Sequence, residues 1–127
     1  MNSSLIKNSS GVRVSSVLNK NVKEFGKQYM TDDCGDTCWN SDQGSPQWLQ
    51  VDFPKCVKIE ELHLQFQGGF AGKECWVETK KNDEMKKLHS IYPEDKNSTD
   101  TMKVVFQSST DFFGRIIVYK LDVKGHI

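Results

Sequence analysis

The chain has 127 residues, enough for one packed core and too few for two. Lysine plus arginine match aspartate plus glutamate at 17 each, so no net field favours nucleic acid or an anionic membrane, and direct nucleic-acid binding is not expected. No apolar run reaches the roughly 18 residues of a membrane helix, and the N-terminal region lacks a signal peptide's apolar stretch. Membrane insertion is therefore not expected, and a nuclear or cytoplasmic location is.

The first eleven residues, MNSSLIKNSSG, are small and polar apart from Leu5 and Ile6 and predict a loose terminus ahead of a single domain over 12–127. Val12 to Leu18 is a β-like run. From Lys20 to Met30 apolar residues recur at helical spacing, but Gly26 interrupts them and allows at most a short helix or an ordered loop. Thr31 to Asp36 gathers three aspartates with Gly35 and is a turn by composition.

From Gln47 to Phe53 the chain alternates, with Trp48, Gln50 and Asp52 on one face and Leu49, Val51 and Phe53 on the other, which predicts a half-buried strand. Further strands are expected over Val57 to Phe66, Glu74 to Lys80, Lys86 to Ile91, Lys103 to Phe106 and Arg115 to Val123. In the last, Ile117, Tyr119, Leu121 and Val123 would share one face, with Ile116 and Val118 opposite. Seven or eight short antiparallel strands with one short helix predict an all-β jelly-roll β-sandwich whose loops collect at two ends.

Four cysteines stand at 34, 38, 56 and 75, and only Cys34 and Cys38 have the close spacing of a metal-ligand pair, so free thiols are favoured over zinc or disulfides. His63, His89 and His126 show no paired spacing. No G-x-S-x-G elbow, P-loop, dinucleotide fingerprint or H-E-x-x-H helix occurs, and no catalytic residue is expected.

Thr37, Trp39 and Ser41, followed by Gln47-Trp48-Leu49-Gln50-Val51-Asp52, resemble the T-x-W-x-S … Q-W-[IL]-x-V-D pattern of discoidin-type, galactose-binding-like modules (the F5/8 type C group). The segments Gln65-Phe66-Gln67-Gly68-Gly69-Phe70, Tyr92-Pro93-Glu94-Asp95 and Thr110-Asp111-Phe112-Phe113-Gly114-Arg115 narrow the resemblance to a family of small nuclear-receptor-associated proteins that repress a testicular orphan receptor. That resemblance implies a non-catalytic module with a protein partner, a nuclear receptor, and repression of receptor-driven transcription. The fold alone also admits a carbohydrate-binding module.

Candidate partner- or ligand-binding residues are Asp42, Gln67, Phe70, Asp111, Phe112 and Arg115. Aromatics on glycine-containing loops and arginine are the residue types that dominate interface hot spots. One of Phe112 and Phe113 is expected to plug the end of the sandwich, and Trp39 and Trp48 are expected to anchor core or loops. The resemblance further implies a structural calcium at Asp33, Asp36 and Thr37. Lys120 stands where the closing strand would supply a carboxylate, with Asp122 two residues on, and a solvated turn is the competing reading.

Overall fold

A computed structural model describes residues 3–81, 83–87 and 98–126. They form β1 (Ser3–Ser4), β2 (Gly11–Val14), β3 (Trp39–Asn40), β4 (Gln47–Phe66), β5 (Cys75–Lys81), β6 (Glu84–Lys87), β7 (Ser98–Phe106) and β8 (Ile117–His126). Of the strand expected over Lys86 to Ile91, residues 88–91 lie outside the described residues, as do Tyr92-Pro93-Glu94-Asp95. Among the described residues helix is limited to α1 (Val22–Phe25) and short 3-10 turns. The Asn21 side chain caps α1 by accepting the Glu24 N–H at 3.3 Å. Gly26 ends it in an extended conformation, where a Cβ would approach the Val22 carbonyl at 2.6 Å.

All strand pairs are antiparallel. One layer runs β2–β4–β7–β5–β6, and β8 forms the other with β1, β3 and the second half of β4. The sequence predicts two strands over Gln47–Phe66, whereas the structure runs them as one. Gln47–Asp52 lie between β2 and β7; a register shift between Asp52 and Val57, where Pro54 has no N–H to give, redirects the strand so that it pairs with β8 from Lys58 onward. The ladder is thus continuous through both layers of a jelly-roll β-sandwich.

The core lies between the layers. Leu49, Val51 and Phe53 point inward with Met102, Val104 and Phe106 of β7, while Trp48, Gln50 and Asp52 keep partial access to water, as the alternation predicts. The fully buried Trp39 packs against Phe106, and Phe66 meets Phe106 edge-on at 5.7 Å between ring centres. Each such side chain contributes about 1.5–3 kcal/mol by burial.

The face assignment of β8 differs from expectation. Its pairing passes from Gln65–Lys120 to Phe66–Val118, which leaves Tyr119 as a bulge. The inward set is therefore Ile116 and Val118 before the bulge and Leu121 and Val123 after it. One inserted residue reverses the phase of a period-2 pattern.

Where composition predicts a loose N-terminus, Ser3 and Ser4 pair with Gly125 and Lys124, the Leu5 N–H donates to the Val123 carbonyl at 2.7 Å, and Leu5 is fully buried. The segment closes the open edge of β8.

Candidate functional site

Three segments meet at one end of the sandwich: 41–47, 67–72 and 109–116. Two buried polar residues organise them. Ser41 donates its N–H to the Ile116 carbonyl at 2.9 Å, and its hydroxyl accepts the Ile116 N–H at 2.8 Å and donates to the Asp42 carbonyl at 2.9 Å. Gln47 accepts from the Ser15 and Ser16 hydroxyls at 2.5 and 2.7 Å through Oε1, and Nε2 donates to the carbonyls of Asp42 and Gly44 at 3.1 and 3.0 Å. Satisfying a buried amide this way makes it a rivet between loops. Trp39 completes the bracket, its indole N–H donating to the Ser16 carbonyl at 2.9 Å.

The 109–115 loop is fixed mainly through its backbone. The Thr110 N–H donates to the Ala71 carbonyl at 2.9 Å, the Ser109 hydroxyl to the Arg115 carbonyl at 2.7 Å, and the Gly44 N–H to the Phe113 carbonyl at 2.8 Å. Gly114 adopts φ +86° against Gly44, where a Cβ would lie 2.7 Å from the Gly44 oxygen.

On this pinned backbone Phe112 is 93 % exposed and Phe113 59 %, their rings edge-to-face at 5.2 Å. Neither plugs the sandwich end as the sequence suggests; the next apolar residue along the chain, Ile116, is fully buried instead. Two adjacent phenylalanines thus stand in water on a loop whose backbone is hydrogen-bonded to its neighbours.

Beside them the Arg115 guanidinium lies 4.7 Å from the centre of the Phe70 ring, and its Nε stands 3.8 Å from Asp111 Oδ2, close enough for ion pairing and too long for a hydrogen bond. That Nε is buried without a hydrogen-bond partner. Asp111 Oδ2 also accepts the Arg115 N–H at 3.1 Å. The structure therefore brings Phe70, Asp111, Phe112 and Arg115 together. Asp42 sits on the neighbouring loop, accepting the Gln43 N–H at 3.0 Å, and Gln67 accepts the Tyr119 hydroxyl at 3.2 Å.

The acidic turn is a separate feature. Asp32 accepts the Thr37 hydroxyl at 2.6 Å and the Cys34 N–H at 3.0 Å, and the Thr37 hydroxyl holds the Asp32 carboxyl below its usual range. Asp33 and Asp36 are exposed, and Lys120 of β8 lines the same cleft as Asp33. Among the described residues no three His, Cys, Asp or Glu side chains converge as metal ligands. In the Asp33, Asp36 and Thr37 set the Thr37 hydroxyl donates to Asp32, and Lys120 stands beside Asp33 where the resemblance would look for a carboxylate from the last strand. The four cysteines form no disulfide.

Sequence reasoning missed the roles of Gln47 and Ser41. A glutamine on the inward face of a strand, in phase with Leu49, was the available signal. It also passed over Trp76, whose indole N–H donates to Glu78 at 2.7 Å under the Lys87 ammonium, 4.0 Å from its ring centre.

The sequence model of the NedA-like, galactose-binding domain matches residues 29–113. The chain is 52 % identical to the nuclear receptor 2C2-associated protein of Danio rerio across 98 % of this chain and 97 % of that one. The chain belongs to the nuclear receptor 2C2-associated protein family. The Xenopus laevis member is 50 % identical over 89 % of this chain and 91 % of its own length, and the Homo sapiens member 43 % identical over 89 % of each. Among solved structures, the family 32 carbohydrate-binding module of Clostridium perfringens NanJ, in complex with galactose, superposes with TM-score 0.74 at 14 % identity, covering 98 % of this chain and 99 % of that one. Chitosan-binding module 1 of a Paenibacillus chitosanase/glucanase gives TM-score 0.73 at 14 % identity, over 95 % of this chain and 98 % of that one. These neighbours share the fold.

Proposed function

We propose that this member of the nuclear receptor 2C2-associated protein family is a non-catalytic interaction protein that binds a nuclear receptor through the loop end and represses receptor-driven transcription, acting in the nucleus or cytoplasm. The observation that carries the reading is the Phe112–Phe113 pair, exposed on a loop whose backbone is fixed by Gly44, Ala71 and Asp111. An ordered apolar tip loses little conformational entropy on binding, and removal of two phenyl faces from water is a hot-spot contribution. Phe70, Asp111 and Arg115 form its polar shoulder; Asp42 and Gln67 lie at the margin.

A second reading, carbohydrate binding at the same end, draws on the galactose complex of the NanJ module. Against it, Arg115 covers one face of Phe70, Trp39 is fully buried, and the exposed rings of Phe112 and Phe113 stand edge-to-face on a protruding tip rather than in a cleft beside polar groups. The protein-binding reading is therefore preferred.

The test is a receptor-driven reporter in cells expressing nuclear receptor 2C2, with the wild-type chain or Phe112→Ser/Phe113→Ser at matched abundance. Repression by the wild type and its loss in the double variant are expected. Repression retained in full by the double variant would remove the loop end from the mechanism.

A further inference from the structure

A second surface, sharing no lining residue with the loop end, carries its own chemistry. The segment 17–28 stands against β2 and the outward face of Trp48 and encloses a groove of about 390 Å³. Its apolar lining comes from Val14, Val17, Val22 and Trp48, with Arg13 and Lys27 on the rim. Val22 is 58 % exposed although it opens a helix whose other apolar end, Phe25, is half-buried. The wall carrying Val22 is held by the Asn21 cap, by Gln28 Nε2 donating to the Val22 carbonyl at 2.7 Å, and by the Tyr29 hydroxyl donating to the Lys23 carbonyl. The groove is thus formed in advance of any occupant.

Its charge singles out the occupant. The whole chain is neutral, yet Lys20, Lys23 and Lys27 line up on this short segment against one acid, Glu24. None of the three makes an ion pair with a described residue. Beside the groove the Lys103 ammonium lies 4.6 Å from the centre of the Trp48 ring, while Arg13 on the rim is paired with Asp52 at 3.0 Å, which leaves Lys27 as the lining cation without an ion pair to a described residue. An apolar floor with Lys27 on its rim and Lys103 beside Trp48 complements a chain with a large apolar side chain between carboxylates, and disfavours a basic one.

We infer that this groove docks a short acidic segment of a partner protein, with one aliphatic or aromatic side chain seated between Val22 and Trp48 and flanking carboxylates facing Lys27 and Lys103. The surface is independent of the loop end, so one can fail while the other stands.

The experiment uses the ¹⁵N-labelled full chain and a pool of blocked heptapeptides with Asp or Glu at the flanks and Leu, Ile, Phe or Trp at the centre. Two control pools carry Lys at the flanks or Ala at the centre. The acidic pool is expected to shift the amides of Val17 and Val22 and the indole N–H of Trp48, and the control pools are not. Val22→Asp, and separately the exposed Lys27→Glu, should each weaken binding by about tenfold while the remaining spectrum stays that of the folded chain. Raising salt from about 0.02 to about 0.5 M should weaken it further. No shift at these positions with the acidic pool, equal shifts with the Lys-flanked pool, or shifts confined to the Phe112 loop would overturn the inference.

Discussion

The guanidinium of Arg115 lies over the ring of Phe70 at 4.7 Å and 3.8 Å from the Asp111 carboxylate, so one cation ties two loops of the sandwich end together. Both members of the ion pair are largely withdrawn from water, and removing the cation leaves the Asp111 carboxylate without its counter-charge. Arg115→Ala should lower stability by about 1–3 kcal/mol, read as a lower urea midpoint at unchanged slope. Arg115→Lys should recover only part of this, because a compact ammonium does not reproduce a planar group stacked on an aromatic ring. A midpoint equal to wild type would mean that the contact does not hold the loops.

Gly114 should not tolerate a side chain. Its φ of +86° and the 2.7 Å approach of a Cβ to the Gly44 oxygen predict a loss of about 1–3 kcal/mol for Gly114→Ala. The Gly44 N–H, bonded to the Phe113 carbonyl, should then exchange with deuterium faster than in wild type. Unchanged exchange would show that the loop does not depend on that contact.

Gln47 occupies an inward position at which an apolar residue would look conventional. Gln47→Leu should nevertheless destabilise the protein by about 2 kcal/mol, because it strips partners from the Ser15 and Ser16 hydroxyls and from the carbonyls of Asp42 and Gly44. Thermal melting checks this. A rise in melting temperature would show that the amide is dispensable.

The Asp32 carboxyl titrates below its ordinary range in the folded chain, chiefly through the Thr37 hydroxyl. A depressed carboxylate contributes stability above its unfolded pKa and loses it as pH falls through the folded one. Thr37→Val should therefore move the Asp32 midpoint upward in a carboxyl-carbon NMR titration. Because the group is exposed to solvent, the effect on overall stability should be small. A midpoint that stays put would assign the depression to another cause.

Local patterns read correctly where the physics is local. The alternation through Leu49, Val51 and Phe53 reports burial directly and sets Trp48 on the opposite face, where it is half-buried, and Trp39 anchors the core as expected. The phase of β8 was not legible, because the bulge at Tyr119 belongs to its pairing with β4 and leaves no mark in the residues of β8 itself. Nor was the single course of β4, since Pro54 reads as a break and only pairing reveals a redirected strand. At the loop end the pairing of Arg115 with Asp111 depends on the turn between them, closed by the Gly114 N–H on the Asp111 carbonyl at 3.1 Å. The stacking of Arg115 on Phe70 joins loops distant in sequence, and the exposure of Phe112 and Phe113 together follows from the backbone bonds that hold their loop.

The central claim is that the Phe112–Phe113 tip is the receptor-binding surface, and calorimetric titration of purified nuclear receptor 2C2 with the folded wild-type chain and with Phe112→Ser/Phe113→Ser tests it most directly. Binding by the wild type, and at least about tenfold weaker binding by the variant, is the predicted result. Equal affinity of the two proteins, or no receptor binding alongside saturable binding of galactose by the wild type, would contradict it.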